Sequence, residues 1–398
     1  MGKWLFPAKI LDPHRFAIFA LSAPVYFFLF IWIGVAPAWA APSAGQVFTI
    51  LDVSVDTTAK TAAAARELAL ADGQAEAFRR LIVRLVTRRD LDRVPKLELA
   101  AIAELVRDFE IDREKTSSVR YLATLRVRFK RDAVRWLLRD AGVAFAETQS
   151  KPVLVLPVFR RAGALLLWDE ANLWRRAGSA LPPSDGLVPM ILARGDLKDI
   201  TDIGPEQAAR GDRKPLRATA ARYGAANVLL ALASISTNPA SNLAELQVNV
   251  SRFGNVAQDR TILRSFAADP DQQVANLLAS AAIAIVSEIE ETWKTDNLLR
   301  FDEESLLTAV VPLGGLDDWV HMRKQLARVA SVQASDLLSL SRTEATVRLS
   351  YLGDEDQLIL ALAQRDVSLV RGTVNWELRL RTEVPGSGGE AAKGDVAR

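Results

Sequence analysis

Residues 119–130 read "VRYLATLRVRFK", and the fold follows from them. Val119, Tyr121, Ala123, Leu125, Val127 and Phe129 alternate with Arg120, Thr124, Arg126, Arg128 and Lys130. Strict period-two alternation predicts a strand with one face in a core and a basic face in water. Upstream, Val47, Thr49, Leu51, Val53 and Val55 alternate in the same way over 46–56. Between the two strands, Leu68, Ala71, Ala75, Phe78, Ile82 and Leu85 recur at helical spacing, which predicts a long amphipathic helix. Leu97, Ala101, Leu105 and Phe109 predict a second helix over 97–108. A short helix from Asp132, with Val134, Leu137 and Leu138 inward, ends near Gly142 and completes an α+β unit over 41–150.

The rest of the chain divides further, as its length of 398 residues requires. Residues 151–300 open on the apolar run 153–156 and proceed through a helix at 169–180 and a strand at 188–193. A helix at 215–224 ending on Gly224, strands at 228–235 and 243–253, and a helix over 269–293 follow. That order predicts an α/β sandwich with part of its sheet parallel. Residues 301–384 read βαββαβ, the ferredoxin-like order. Asp317 and Asp354 are the expected helix caps, Gln357 stands in the capping-box position, and Trp319 and Trp376 are the expected buried tryptophans. The tail 385–398 is Gly/Ala-rich and reads as disordered. The fold class expected is therefore α+β and α/β, multidomain.

The first 40 residues read as an export signal. Lys3, Lys9 and Arg15 precede an apolar run over 16–35, and Ala38-Trp39-Ala40 is a small-x-small cleavage pattern. The run also has the length of a membrane span, so an uncleaved anchor is the alternative. Both readings put the body outside the cytoplasm, because no basic residue follows the run before Lys60. The expected location is the bacterial periplasm, with cleavage after Ala40 or attachment to the inner membrane. Fifty basic and 48 acidic residues include Lys3, Lys9, Arg15 and Asp12. Without those four the body is neutral, which argues against nucleic acid as a partner.

Three segments carry a family resemblance. "FTILDVSVDTTAKTAAAARELALADGQAEAFRRLIVRLV", "VRYLATLRVRFKRDAVRWLLRDAGV" and "KPVLVLPVF" resemble the bacterial family called domain of unknown function 2066. The similar region runs from about 46 to 235, and "LLLWDEANLWRRAG" and "ARGDLKDI" look like features of its exported alphaproteobacterial members. The resemblance implies an exported envelope protein and brings no catalytic residues with it. "ATAARYGAANVLLALASIS" is similar in its helix-then-strand pattern to periplasmic α/β domains of beta-propeller translocation proteins and curli-secretion lipoproteins. This second likeness concerns fold alone.

Few residues offer chemistry. There is no cysteine, so no thiolate or disulfide is available. Beyond the leader His321 is the sole histidine, it sits off the Trp319–Met322–Leu326 stripe, and no ligand or triad motif surrounds it. Neither a Walker-type nor a dinucleotide-type glycine loop occurs. No catalytic, cofactor-binding or metal-binding residues are therefore assigned. Asp169-Glu170 and Asp196–Asp199 are candidate acid/base pairs whose simpler role is helix capping. Trp168 and Trp174 would stack on a sugar or fill a core.

Arg80, Arg84 and Arg88, four apart with Arg79 and Arg89 beside them, form a candidate partner-binding stripe. Glu76 pairs part of that charge locally. The expected function is a non-enzymatic binding or assembly module of the envelope, whose partner is another envelope protein or the membrane surface. The alternatives are a carboxylate-dependent hydrolase of envelope glycans using Asp169 or Asp196, and a small-ligand receptor in the middle domain.

Overall fold

The computed structural model describes residues 46–182, 185–254, 261–301, 304–372 and 375–381. The first 40 residues, Val374 and the tail from 385 lie outside the described residues. The described chain is mixed α and β, with several separate sheets.

The first layer comprises β1 (Thr49–Thr58), α1 (Ala62–Leu85), α2 (Leu99–Leu105), β2 (Val106–Thr116), β3 (Arg120–Phe129), α3 (Arg131–Asp140) and β4 (Phe145–Ala146). β3 is the central strand of an antiparallel sheet in the order β1-β3-β2. Its alternation is realised: Tyr121, Ala123, Leu125, Val127 and Phe129 are buried. The basic face does not stand free. Arg120 pairs with Asp56 at 2.5 Å, Arg126 with Glu110 at 3.3 Å, and Arg128 with both Asp108 and Glu110.

Two expectations change in this layer. The expected Phe78, Ile82 and Leu85 are buried on α1, but its buried face continues through Ala65, Ala69, Gly73, Ala77 and Leu81, while Leu68 is half exposed. The helix lies so close to the sheet that a Cβ on Gly73 would stand 2.5 Å from Leu125 Cδ1. Close approach selects small residues in the N-terminal half of the helix, which leaves Leu68 off the contact, while the large residues of the C-terminal half stay in it. The second helix stops at Leu105, and residues 106–116 form β2, an edge strand exposed along most of its length. Its charged sequence carries no apolar period-two signal, because only Val106 and Ile111 pack against the core and the rest of the strand meets solvent.

The middle layer comprises β5 (Val153–Arg161), β6 (Ala164–Leu166), α4 (Leu173–Ser179), β7 (Met190–Leu192), α5 (Leu197–Asp202), α6 (Pro205–Arg210), α7 (Arg213–Arg222), β8 (Asn227–Thr237), β9 (Ala244–Gly254), β10 (Thr261–Ala267), α8 (Val274–Asp296) and β11 (Leu298–Leu299). The sheet runs β10-β9-β8-β5-β6, and β7 joins β5 beyond the end of β6. β5 is parallel to both β7 and β8. Gly224 ends α7 at φ +62°, a left-handed position where glycine costs little. β10 and the short helices α5 and α6 go beyond the sequence reading.

The two faces of this sheet feed two cores. Leu154, Leu156, Val158, Val228 and Leu230 point one way, against α6 and α7. Val153, Phe159, Leu229, Ala231 and Val248 point the other way, into a core shared with α4, α8 and the first layer.

The third layer comprises β12 (Glu304–Pro312), α9 (Leu316–Leu326), β13 (Val332–Leu340), β14 (Glu344–Leu352), α10 (Glu355–Ala363), β15 (Val367–Arg371) and β16 (Trp376–Leu380). Its order is β13-β14-β12-β16-β15. The βαββα run is ferredoxin-like, but an additional strand, β15, precedes the last one. β16 enters between β12 and β15, parallel to β12 and antiparallel to β15. Trp319 is buried, whereas Trp376 is half-buried on the short β16. Asp354 caps α10, accepting from Gln357 N at 2.8 Å. Asp317 does not cap α9. Gly315 holds that position, and Asp318 accepts from Gly314 N at 2.7 Å.

Candidate functional site

A cavity of about 750 Å³ lies on the face of the middle sheet turned toward α4 and α8. Alternation along the strands builds its floor: Val155 and Pro157 from β5, Met190 and Leu192 from β7, Leu229 and Ala231 from β8, and Val250 from β9. α8 supplies Ala282, Ile285, Val286 and Ile289 as the opposite wall, and α4 closes one end with Trp174 and Gly178. Small residues at 178, 231 and 282 leave the space between sheet and helices unfilled.

α4 is held at that end by Asn172, which is fully buried. Its Nδ2 donates to the carbonyls of Pro157 at 2.9 Å and Leu167 at 3.0 Å, and its Oδ1 accepts from Arg175 N at 2.9 Å. Trp174 Nε1 donates to Ala231 O at 3.1 Å. The ring therefore presents only its apolar body to the cavity.

Charge is confined to the side where α1 meets α8. Arg80 pairs with Asp185 and donates to Asp52 O at 3.3 Å. Arg84 is 9% exposed and donates to the carbonyls of Val47 at 2.6 Å, Thr49 at 2.9 Å and Asp185. Burial pulls its guanidinium down to about 10, with repulsion from Arg80 acting the same way, so it stays charged at neutral pH. Arg80 is lowered as well, chiefly by burial.

α8 contributes Glu290, Glu291 and Lys294. The Glu290 carboxylate accepts from Leu187 N at 2.8 Å and Val188 N at 3.1 Å. Burial nevertheless raises its pKa above the ordinary Glu value. Lys294, 3% exposed, pairs with Glu291 at 2.5 Å and donates to Val83 O at 3.0 Å and Val86 O at 2.7 Å. It satisfies carbonyls that the C-terminus of α1 would otherwise leave open. Arg88 lies outermost, with its Nε 4.0 Å from Glu291 Oε1 and a side chain that is 59% exposed.

The arginine stripe is thus brought to one place, but not as the free surface expected of it. Of the three in the i, i+4 series, only Arg88 is well exposed, as are the flanking Arg79 and Arg89, while Arg80 is partly covered and Arg84 is inside. Asp185 accepts from both inner arginines, and sequence spacing does not reveal that contact. The buried lysine and glutamate of α8 carried no motif at all.

The remaining candidates lie apart from the cavity. Asp196 and Asp199 form a capping box on α5. Asp199 has no exposed surface and is paired with Arg222, while Tyr223 donates to it at 2.6 Å. Asp169 and Glu170 are exposed in the turn before α4. Trp168 Nε1 donates to Ile203 O at 2.8 Å. His321 is exposed and stands 3.0 Å from Gln325 Nε2. No group of three or more metal-ligating side chains occurs among the described residues. Among them also no helix is long and apolar enough to cross a membrane.

Fold and site together define a mixed α and β protein with an apolar cavity edged by arginines on one side. A family model described as a domain of unknown function (DUF8605) matches residues 50–147, the first layer with α1 and its arginines. The apolar walls belong to the chain beyond that match. No curated protein matches the chain.

Proposed function

We propose that this chain is a non-enzymatic binding protein of the bacterial cell envelope, and that its ligand occupies the cavity between the middle sheet and α8. The cavity carries the reading. Its 750 Å³ falls within the roughly 300–1,000 Å³ of ligand sites, and its walls are apolar with a few polar groups gathered on one side. The envelope assignment rests on the basic leader, the apolar run and the Ala38-Trp39-Ala40 pattern. Kinship with the exported alphaproteobacterial type of domain of unknown function 2066 is part of the same proposal, on the segments quoted above.

Glycan hydrolysis has less support, since Asp196 and Asp199 are taken up in a helix cap and an ion pair. Binding is tested by thermal unfolding of the exported body with hydrophobic small molecules. A ligand at 100 times its Kd adds about 2.7 kcal/mol to the stability of the folded state. No shift with any apolar or amphiphilic compound would remove the reading. A reporter fused after residue 60 should be active only outside the cytoplasm, and activity inside it would overturn the envelope assignment.

A further inference from the structure

The two sides of the cavity ask for different chemistry. Along the sheet and α8 the walls are aliphatic, and the indole N–H of Trp174 is already used on Ala231. A ligand body with hydrogen-bonding groups would leave them unpaired there, at about 1–3 kcal/mol each. The body must be apolar throughout.

Where α1 meets α8, Arg79 is taken by Glu76 at 2.6 Å, and the other four cations (Arg80, Arg84, Arg88 and Lys294) face three carboxylates, Asp185, Glu290 and Glu291. Lys294 lies nearer to Glu291 than Arg88 does, 2.5 Å against 4.0 Å, so the outermost arginine is weakly compensated. A guanidinium has five donors, enough for Arg80 to hold Asp52 and Asp185 and still accept an anion. Val83 and Ile283, 46% and 59% exposed, line the same cavity and give it an apolar lip.

We propose that the cavity binds an anionic amphiphile of lipid type, its alkyl chain between the middle sheet and α8 and its acidic head at Arg80 and Arg88. This rests on the cavity being the binding site. A carboxylate head and a phosphate-monoester head share the required chemistry: a compact anion that guanidinium groups bind in a charge-assisted way.

The test measures binding of four probes with one chain length to the exported body: palmitate, hexadecyl phosphate, hexadecanol and hexadecyltrimethylammonium. Palmitate, hexadecyl phosphate or both should bind at least about tenfold tighter than hexadecanol, and the cation should bind worst. Whichever anion binds tighter identifies the head. Arg88→Gln should cut that preference several-fold and leave hexadecanol unchanged. Gly178→Phe should block every probe while the fold is kept, because a Cβ there meets nothing within 4 Å and glycine is the poorer helix former.

Equal binding of hexadecanol and the anions overturns the head assignment and leaves the cavity reading standing. Wild-type binding by Gly178→Phe overturns the placement of the chain. Failure of all four probes on the wild type takes the proposed function with it.

Discussion

The guanidinium of Arg84 donates to the backbone carbonyl of Val47 at 2.6 Å, across 37 residues of chain. With its bonds to Thr49 and Asp185 it joins the end of α1, the entry of β1 and Asp185 at the cavity. An arginine expected to face a partner is therefore a support of the first layer. Arg84→Glu would place a carboxylate among carbonyl oxygens.

Arg84→Ala should therefore lower unfolding free energy by about 3–5 kcal/mol, the usual cost of removing one member of a buried charged set. Arg88→Glu, on a mostly exposed side chain, should change it by less than about 1 kcal/mol. Urea unfolding of the two variants checks the contrast. Equal small effects would mean that Arg84 is not buried in solution.

Glu290 predicts a pH effect of defined sign. Its folded pKa is raised from the ordinary 4.5 by burial. Its contribution to stability is present in full below the unfolded value and is lost as pH rises through the folded one. Carboxylates held low act oppositely: Asp90, hydrogen-bonded by Thr87 and by Arg89 and Arg93, loses its contribution as pH falls. Glu290→Gln keeps an oxygen for Leu187 and Val188 but does not titrate. The stability of this variant relative to wild type should therefore rise as pH climbs above the ordinary 4.5 in denaturant titrations. A constant difference would remove the argument.

What the sequence made legible follows from where the signal is local. β3, β14 and β8 declare themselves by alternation or by continuous apolar runs, and all three are internal strands. β2 and β10 are edge strands with most side chains toward solvent, which leaves little period in them, while β15 alternates Val367 and Leu369 inward but is only five residues long. The arginines of α1 were visible as an i, i+4 series. Their burial depends on Asp185, about a hundred residues away, and no local pattern encodes that contact. The cavity is less legible still. It arises from small residues on α4, β8 and α8, each unremarkable alone, that come together only in the folded chain.

The third layer has a core drawn wholly from residues 307–378. A fragment covering 301–381 should melt cooperatively by itself. Within it Trp319→Ala should cost about 3–5 kcal/mol and Trp376→Ala clearly less, since the second ring is only half-buried. A fragment without a cooperative transition would show that this layer needs its contacts with the rest of the chain, Leu352 in the shared core and Lys151 with Gln364 and Asp366 among them.

Asp199 separates a structural role from a catalytic one. It is fully buried, is paired with Arg222, and accepts from Tyr223 at 2.6 Å and Gly195 N at 2.8 Å. Asn in its place keeps the shape and loses the charge that these donors bind. Asp199→Asn should destabilise the protein by about 1.5–3 kcal/mol, in the range for hydrogen bonds to a charged group. Arg222 keeps Asp202 at 3.2 Å as a second carboxylate, which holds the loss below that of a fully orphaned cation. Asp196→Ala should cost about 1 kcal/mol and Asp196→Ser only a few tenths, because serine also caps a helix. Thermal unfolding of the three variants beside an assay on peptidoglycan fragments tests the pair. A wild-type that cleaves the fragments, with an Asp196→Ser variant that is stable but inert, would make Asp196 a catalytic acid instead of a cap.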